Sequence, residues 1–111
     1  MFTRLNAYRI MWVFVMFDLP TLTKRQVKAA ALFRSNLLRD GFSMFQYSLY
    51  IRHCNSRENA QVHIKRVKSF IPPEGHVCIF DLTDKQFGMM QIVYNRAKIE
   101  KPDDVIQLEL F

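Results

Sequence analysis

The chain has 111 residues, half of them apolar, and carries 16 Lys and Arg against 10 Asp and Glu, for a formal charge of +6 and an isoelectric point near 9.6. That length holds one ordinary domain with its own core. Two cysteines, Cys54 and Cys78, are too few for a disulfide scaffold and lack zinc-site spacing, as do the scattered His53, His63 and His76. The surplus of cations favours a polyanionic partner.

Near the N-terminus, Arg4 and Arg9 precede an apolar run from Ile10 to Phe17 that stops at Asp18, with Pro20 two residues on. The run is short and aromatic, Asp-Leu-Pro stands where small cleavage-site residues would be, and eight residues cannot cross a bilayer. The sequence therefore predicts a soluble, cytoplasmic protein that keeps its N-terminus and has no membrane partner. The run itself reads as a strand with two apolar faces, which needs cover on both sides.

The next element, from Thr21 to Gly41, is predicted as a helix capped by Thr21 or Thr23, with Val27, Ala30, Ala31, Leu37 and Leu38 as its core face. Lys24, Lys28 and Arg39 share another side of the wheel, with Arg25 beside them. Residues 42–54 read as one or two strands. A second helix follows with an Asn55/Glu58 capping box and a stripe of Ala60, Ile64, Val67 and Ile71. His63 lies near that stripe as a packed histidine. Lys65 and Lys68 lie on another face with Arg66 close by, and Pro72-Pro73 end the helix.

"HVCIFDLTD" is a further strand and "FGMMQIVYN" a short one. "RAKIEKPDD" reads as a polar link before the alternating "VIQLELF", whose Ile106, Leu108 and Leu110 face one way as an edge strand for a partner. The order is α+β, the ferredoxin-like split βαβ (βαββαβ), over residues 8–95, with a C-terminal linker and strand over 96–111. Two helices cover one side of such a sheet, so the second face of the first strand predicts a homodimer about a two-fold axis. Asp18, at that strand's exit, is either a turn residue binding backbone amides or, paired with its copy across the axis, a carboxylate that shares Mg²⁺.

The segments "VFVMFDLP", "DGFSMFQYSLYIR", "HIKRVKSFIPPEG", "LTDKQFGMM" and "LELF", in that order from Tyr8 onward, closely resemble the CRISPR-associated protein two family, in its type II-like form. The resemblance implies a homodimeric scaffold bridging dimers of the CRISPR integrase during spacer acquisition, with double-stranded protospacer DNA lying across it. It also implies, for some members, a metal-dependent endonuclease acting on RNA or DNA, and Asp18 matches the aspartate assigned to the metal. The basic residues Lys24, Arg25, Lys28 and Arg39, with Lys65, Arg66 and Lys68 as a second surface, are the candidates for phosphate contact. A scaffold and a Mg²⁺-dependent nuclease both stand as expectations. An RNA-recognition module is disfavoured, because "DGFSMFQY" lacks the leading basic residue and falls on the wrong strand for that signature.

Overall fold

The computed structural model describes residues 6–94 and 98–100. A turn of helix, α1 (Asn6–Arg9), leads into β1 (Met11–Asp18), α2 (Lys24–Arg39), β2 (Ser43–Gln46), β3 (Leu49–Cys54), α3 (Arg57–Ser69) and β4 (His76–Thr83). A short α4 (Asp84–Gly88) and a hairpin of β5 (Ile92–Tyr94) with β6 (Lys98–Glu100) follow. The first four strands form one sheet ordered β2-β3-β1-β4 with every neighbouring pair antiparallel. This is the ferredoxin-like α+β arrangement predicted from the element order. Among the described residues no helix is long and apolar enough to cross a membrane.

β1 sits at the centre because its side chains have no face that tolerates water. Met11, Val13, Val15 and Phe17 point toward α2 and α3 and join Phe33, Leu37 and Val67 in the main core. Phe17 meets Phe33 edge-on at 5.1 Å. Trp12, Phe14 and Met16 point the other way.

The sequence pattern assigns this second face to a second copy of the chain, and part of the cover comes instead from the chain itself. α4 supplies much of the cover: Phe87 is 1% exposed and stacks on Trp12 with ring centroids 4.2 Å apart. The Trp12 indole donates to Asp84 Oδ1 at 2.8 Å, and Phe14 stacks on Phe80 at 5.0 Å. The cover stops short of the Asp18 end of the sheet, where Met16 is 48% and Phe80 37% exposed and Cys78 is exposed beside them. The helix was missed because Thr83 and Gln86 form a capping box hidden in a segment that alternates like a strand: Gln86 N donates to Thr83 Oγ1 at 3.1 Å and Thr83 N to Gln86 Oε1 at 2.9 Å. Among the described residues of "FGMMQIVYN", only Ile92–Tyr94 is strand.

The core face of α2 also differs from expectation. α2 is rotated by roughly 70° from the predicted face at 100° per residue. Ala30, Phe33 and Leu37 are buried, whereas Val27 and Leu38 are 47% and 55% exposed and Ala31 is exposed too. The aromatic ring of Phe33 has the most area to bury and sets the orientation. Thr23, not Thr21, is the cap. α2 closes at Gly41, whose φ of +91° suits a residue without a β-carbon and lets Phe42 N reach Leu37 O at 3.0 Å.

In α3 the cap is Ser56, which accepts from Asn59 N at 3.0 Å, rather than Asn55. Its buried residues are Ala60, His63 and Val67, with Ile64 packed beside them, while Ile71 lies beyond the helix and is exposed. Burial pushes the Cys54 thiol above its usual value of 9.0, only partly opposed by neighbouring Arg52, so this cysteine is a packed, unreactive side chain.

Lys98–Glu100, inside the segment read as a polar link, pairs with β5. Ile106, Leu108 and Leu110 lie outside the described residues.

Phe87→Ala removes the ring that seals Trp12 and Phe14. It is expected to cost about 3–5 kcal/mol in urea unfolding; a loss below 1 kcal/mol would show that α4 is not part of the core.

Candidate functional site

Asp18 is the last residue of β1 and is exposed, and it pairs in register with His76 of β4 across an antiparallel step. By strand alternation its side chain shares the face of Trp12, Phe14 and Met16. It therefore stands at the edge of the apolar area that α4 leaves open.

The chain leaves Asp18 through Leu19 and Pro20, and the Pro72–Gly75 turn passes against this exit. Gly75, at φ +97°, lies so close that a β-carbon there would meet the Asp18 carbonyl oxygen at 2.7 Å and Leu19 Cδ2 at 2.8 Å. Glycine is the residue that fits both the dihedral and the space.

A cleft of about 200 Å³ opens beside this crossing. Its walls are Leu19 and Pro20, Ala29 and Ala30 of α2, and Pro72 and Pro73. Arg25, Gln26 and Glu74 line it as well. Gln26 Oε1 accepts from the amides of Leu22 at 2.9 Å and Thr23 at 3.1 Å, and its Nε2 donates to Glu74 Oε2 at 2.7 Å. One side chain thus caps α2 and anchors the turn. Sequence reasoning missed Gln26 and Glu74, although T-x-x-Q is the capping signature that would have singled out Gln26.

Lys24, Arg25 and Lys28 are exposed over the first turns of α2. Arg39, though on the same side of the wheel, stands 11 residues beyond Lys28, about 16 Å along the axis at 1.5 Å per residue. These cations form a row, and Arg39 instead shares a shallow groove with Arg66 of α3. Lys65 and Lys68 are exposed on α3. Among the described residues the ion pairs are two, both on Asp40, so Lys24, Arg25, Lys28, Arg39, Lys65 and Lys68 make none.

Arg66 is different, because its Nη1 donates to Asp40 Oδ1 at 3.0 Å. His63 Nδ1 lies 2.8 Å from the other oxygen, Asp40 Oδ2; since a carboxylate only accepts, Nδ1 carries the proton. Arg52 Nε donates to the Asp40 carbonyl at 2.8 Å. Asp40, the residue after α2, thereby ties that helix to β3 and α3. Nothing in the local sequence pattern marks it.

Mg²⁺ takes oxygen ligands in an octahedron and keeps several waters, so one or two carboxylates suffice. Among the described residues no group of three His, Cys, Asp or Glu gathers. At the end of β1 a single protomer presents the exposed carboxylate of Asp18. Asp18 would supply one carboxylate ligand to such an ion, and a second copy of the chain would supply another.

A β2-β3-β1-β4 antiparallel sheet, two helices on one face and a strand-end carboxylate define a ferredoxin-like α+β domain. Residues 11–90 match the family model described as CRISPR associated protein Cas2. The chain is 53% identical, over 99% of its length and 96% of the relative's, to the CRISPR-associated endoribonuclease Cas2 of Flavobacterium psychrophilum. It is 48% identical to that of Parvibaculum lavamentivorans, over 91% of this chain and all of that one. A solved structure described as the crystal structure of cas2 superposes with a TM-score of 0.52, covering 82% of this chain and 95% of the other at 19% identity, which shows the shared fold. The chain belongs to the Cas2 family of CRISPR-associated proteins.

Gly75→Ala forces a β-carbon into the Asp18 backbone at an unfavourable positive φ. It is expected to lower stability by about 1–3 kcal/mol, read from the urea midpoint of the variant; an unchanged midpoint would contradict the close crossing.

Proposed function

We propose that this protein is a CRISPR adaptation subunit: a homodimer that holds double-stranded protospacer DNA and bridges dimers of the integrase during spacer acquisition. The observation that carries this reading is the row of exposed cations, Lys24, Arg25 and Lys28, which make no ion pair among the described residues and flank the exit of β1. Charges left unpaired on a rigid helix bind phosphates without reading bases, which suits a protein that accepts arbitrary DNA. Arg39 with Arg66, and Lys65 with Lys68, supply further contacts along the same basic side, and Ile106, Leu108 and Leu110 dock on a partner by strand addition. A cytoplasmic location goes with this role.

The dimer is supported by the uncovered half of the sheet. Met16, Phe80 and Cys78 remain exposed beside Asp18. A second copy seated there buries them and brings two Asp18 carboxylates toward one axis.

A second reading, a Mg²⁺-dependent endonuclease cutting RNA or DNA, is favoured by the relatives' description as endoribonucleases. In that reading two copies of Asp18 would hold the ion, and the chemistry it would supply is Lewis-acid assistance at the phosphodiester. Among the described residues no hydrogen bond joins Asp18 to His76, the residue opposite it in the register, so the scaffold ranks first.

Three measurements test these readings. Lys24→Ala with Arg25→Ala is expected to reduce the log-log salt slope of duplex binding by about two units, roughly one per phosphate contact; an unchanged slope would leave the row a solvated face. Asp18→Asn is expected to integrate spacers at the wild-type rate while losing both nuclease activity and calorimetric Mg²⁺ binding. Integration lost together with cleavage would place chemistry first. Thiol labelling of Cys78 is expected to slow as protein concentration rises through dimer formation, while Cys54 stays unreactive throughout. Concentration-independent labelling of Cys78 would remove this surface from the dimer.

A further inference from the structure

The cleft between α2 and the Pro72–Gly75 turn shares Arg25 with the basic row, and its other walls have no part in the roles above. We propose that it seats one unpaired nucleobase of a bound strand, with the adjoining phosphate held by Arg25. The inference rests on the nucleic-acid reading of this protein and adds a subsite to it.

The shape comes first. Pro20, Ala29, Pro72 and Pro73 give apolar walls around about 200 Å³, room for a single planar ring system rather than a base pair. Bases lifted out of a stack bury their faces against apolar side chains in this way. The charges then narrow the occupant. Arg25 lines the cleft, and neither it nor neighbouring Lys24 makes an ion pair among the described residues. An aliphatic peptide side chain brings no anion to this place, and an acidic one brings no apolar plane. A nucleotide brings both.

The polar rim selects among bases. Gln26 is committed at both ends, to the α2 cap and to Glu74 Oε2, so the Glu74 carboxylate is held at the rim as an acceptor. Guanine presents two adjacent donors, N1–H and the N2 amino group, whereas each other base presents one donor next to acceptors. The cleft therefore favours guanine.

The test is binding of the full chain to short labelled single strands, followed by fluorescence anisotropy. The strands are identical except for a central guanine, another base or an abasic site, each made as RNA and as DNA. The guanine strand is expected to bind about fivefold or more tightly than the abasic one, the scale of one buried base. Ala29→Leu fills the cleft without changing charge or helix propensity much, and should abolish that difference while leaving the salt slope of duplex binding intact. Glu74→Gln should flatten the preference for guanine. Whichever sugar shows the larger difference identifies the strand as RNA or DNA. Equal affinity for guanine and abasic strands, with Ala29→Leu silent, overturns the subsite while salt-dependent duplex binding leaves the scaffold reading standing. Absence of binding to every strand, duplex included, overturns both.

Discussion

A strand that is apolar on both faces has to be dry on both faces, and the architecture around β1 follows from that demand. Two helices on one side satisfy Val13, Val15 and Phe17. The other side is harder for a small domain, because the βαββαβ order places no helix there. The chain answers with α4, whose Phe87 closes over Trp12 and Phe14. A five-residue helix is too short to cover eight residues of strand, so the cover ends before Met16. The open remainder is what gives Asp18 its setting: a carboxylate beside an apolar area, at the point where the chain turns into a basic helix.

Much of this was legible in the residues. The Val- and Phe-rich run ended by Asp-Leu-Pro reads as a strand, the helices announce themselves by caps and periodicity, and element order alone yields the sheet topology. What stayed hidden depends on which of several apolar groups wins a place in the core. On α2, Val27 and Leu38 fit an aliphatic stripe, yet Phe33 and Phe17 bury more area by meeting edge-on, and the helix turns to let them. The Thr83/Gln86 box was overlooked because apolar alternation in the same window favours a strand. Asp18 draws notice in the sequence because it interrupts a hydrophobic run; Asp40 and Glu74 do not, because their contacts span 23 to 48 residues that no local pattern encodes, and Gln26 is marked only by its capping signature.

The distribution of charge separates two uses of cationic side chains. Arg66, though its side chain is exposed, is paired with a carboxylate that also holds His63 and fastens the end of α2 to its neighbours. Its charge is already matched within the chain. Lys24, Arg25 and Lys28 answer to nothing within the described residues, and their field extends outward over about a Debye length at physiological salt. Counting cations on a helical wheel merges these two populations; the axial rise and the ion pairs pull them apart.

Trp12 is the chain's one tryptophan, and its indole sits under α4, stacked on Phe87 and bonded to Asp84. The molecule therefore carries an optical gauge of a single event, the docking of α4. Its fluorescence follows that lid of the second face, whereas far-ultraviolet dichroism is dominated by α2 and α3 on the first. The two signals have no structural reason to share a midpoint, and any gap between them measures how independently the two sides of one strand come undone.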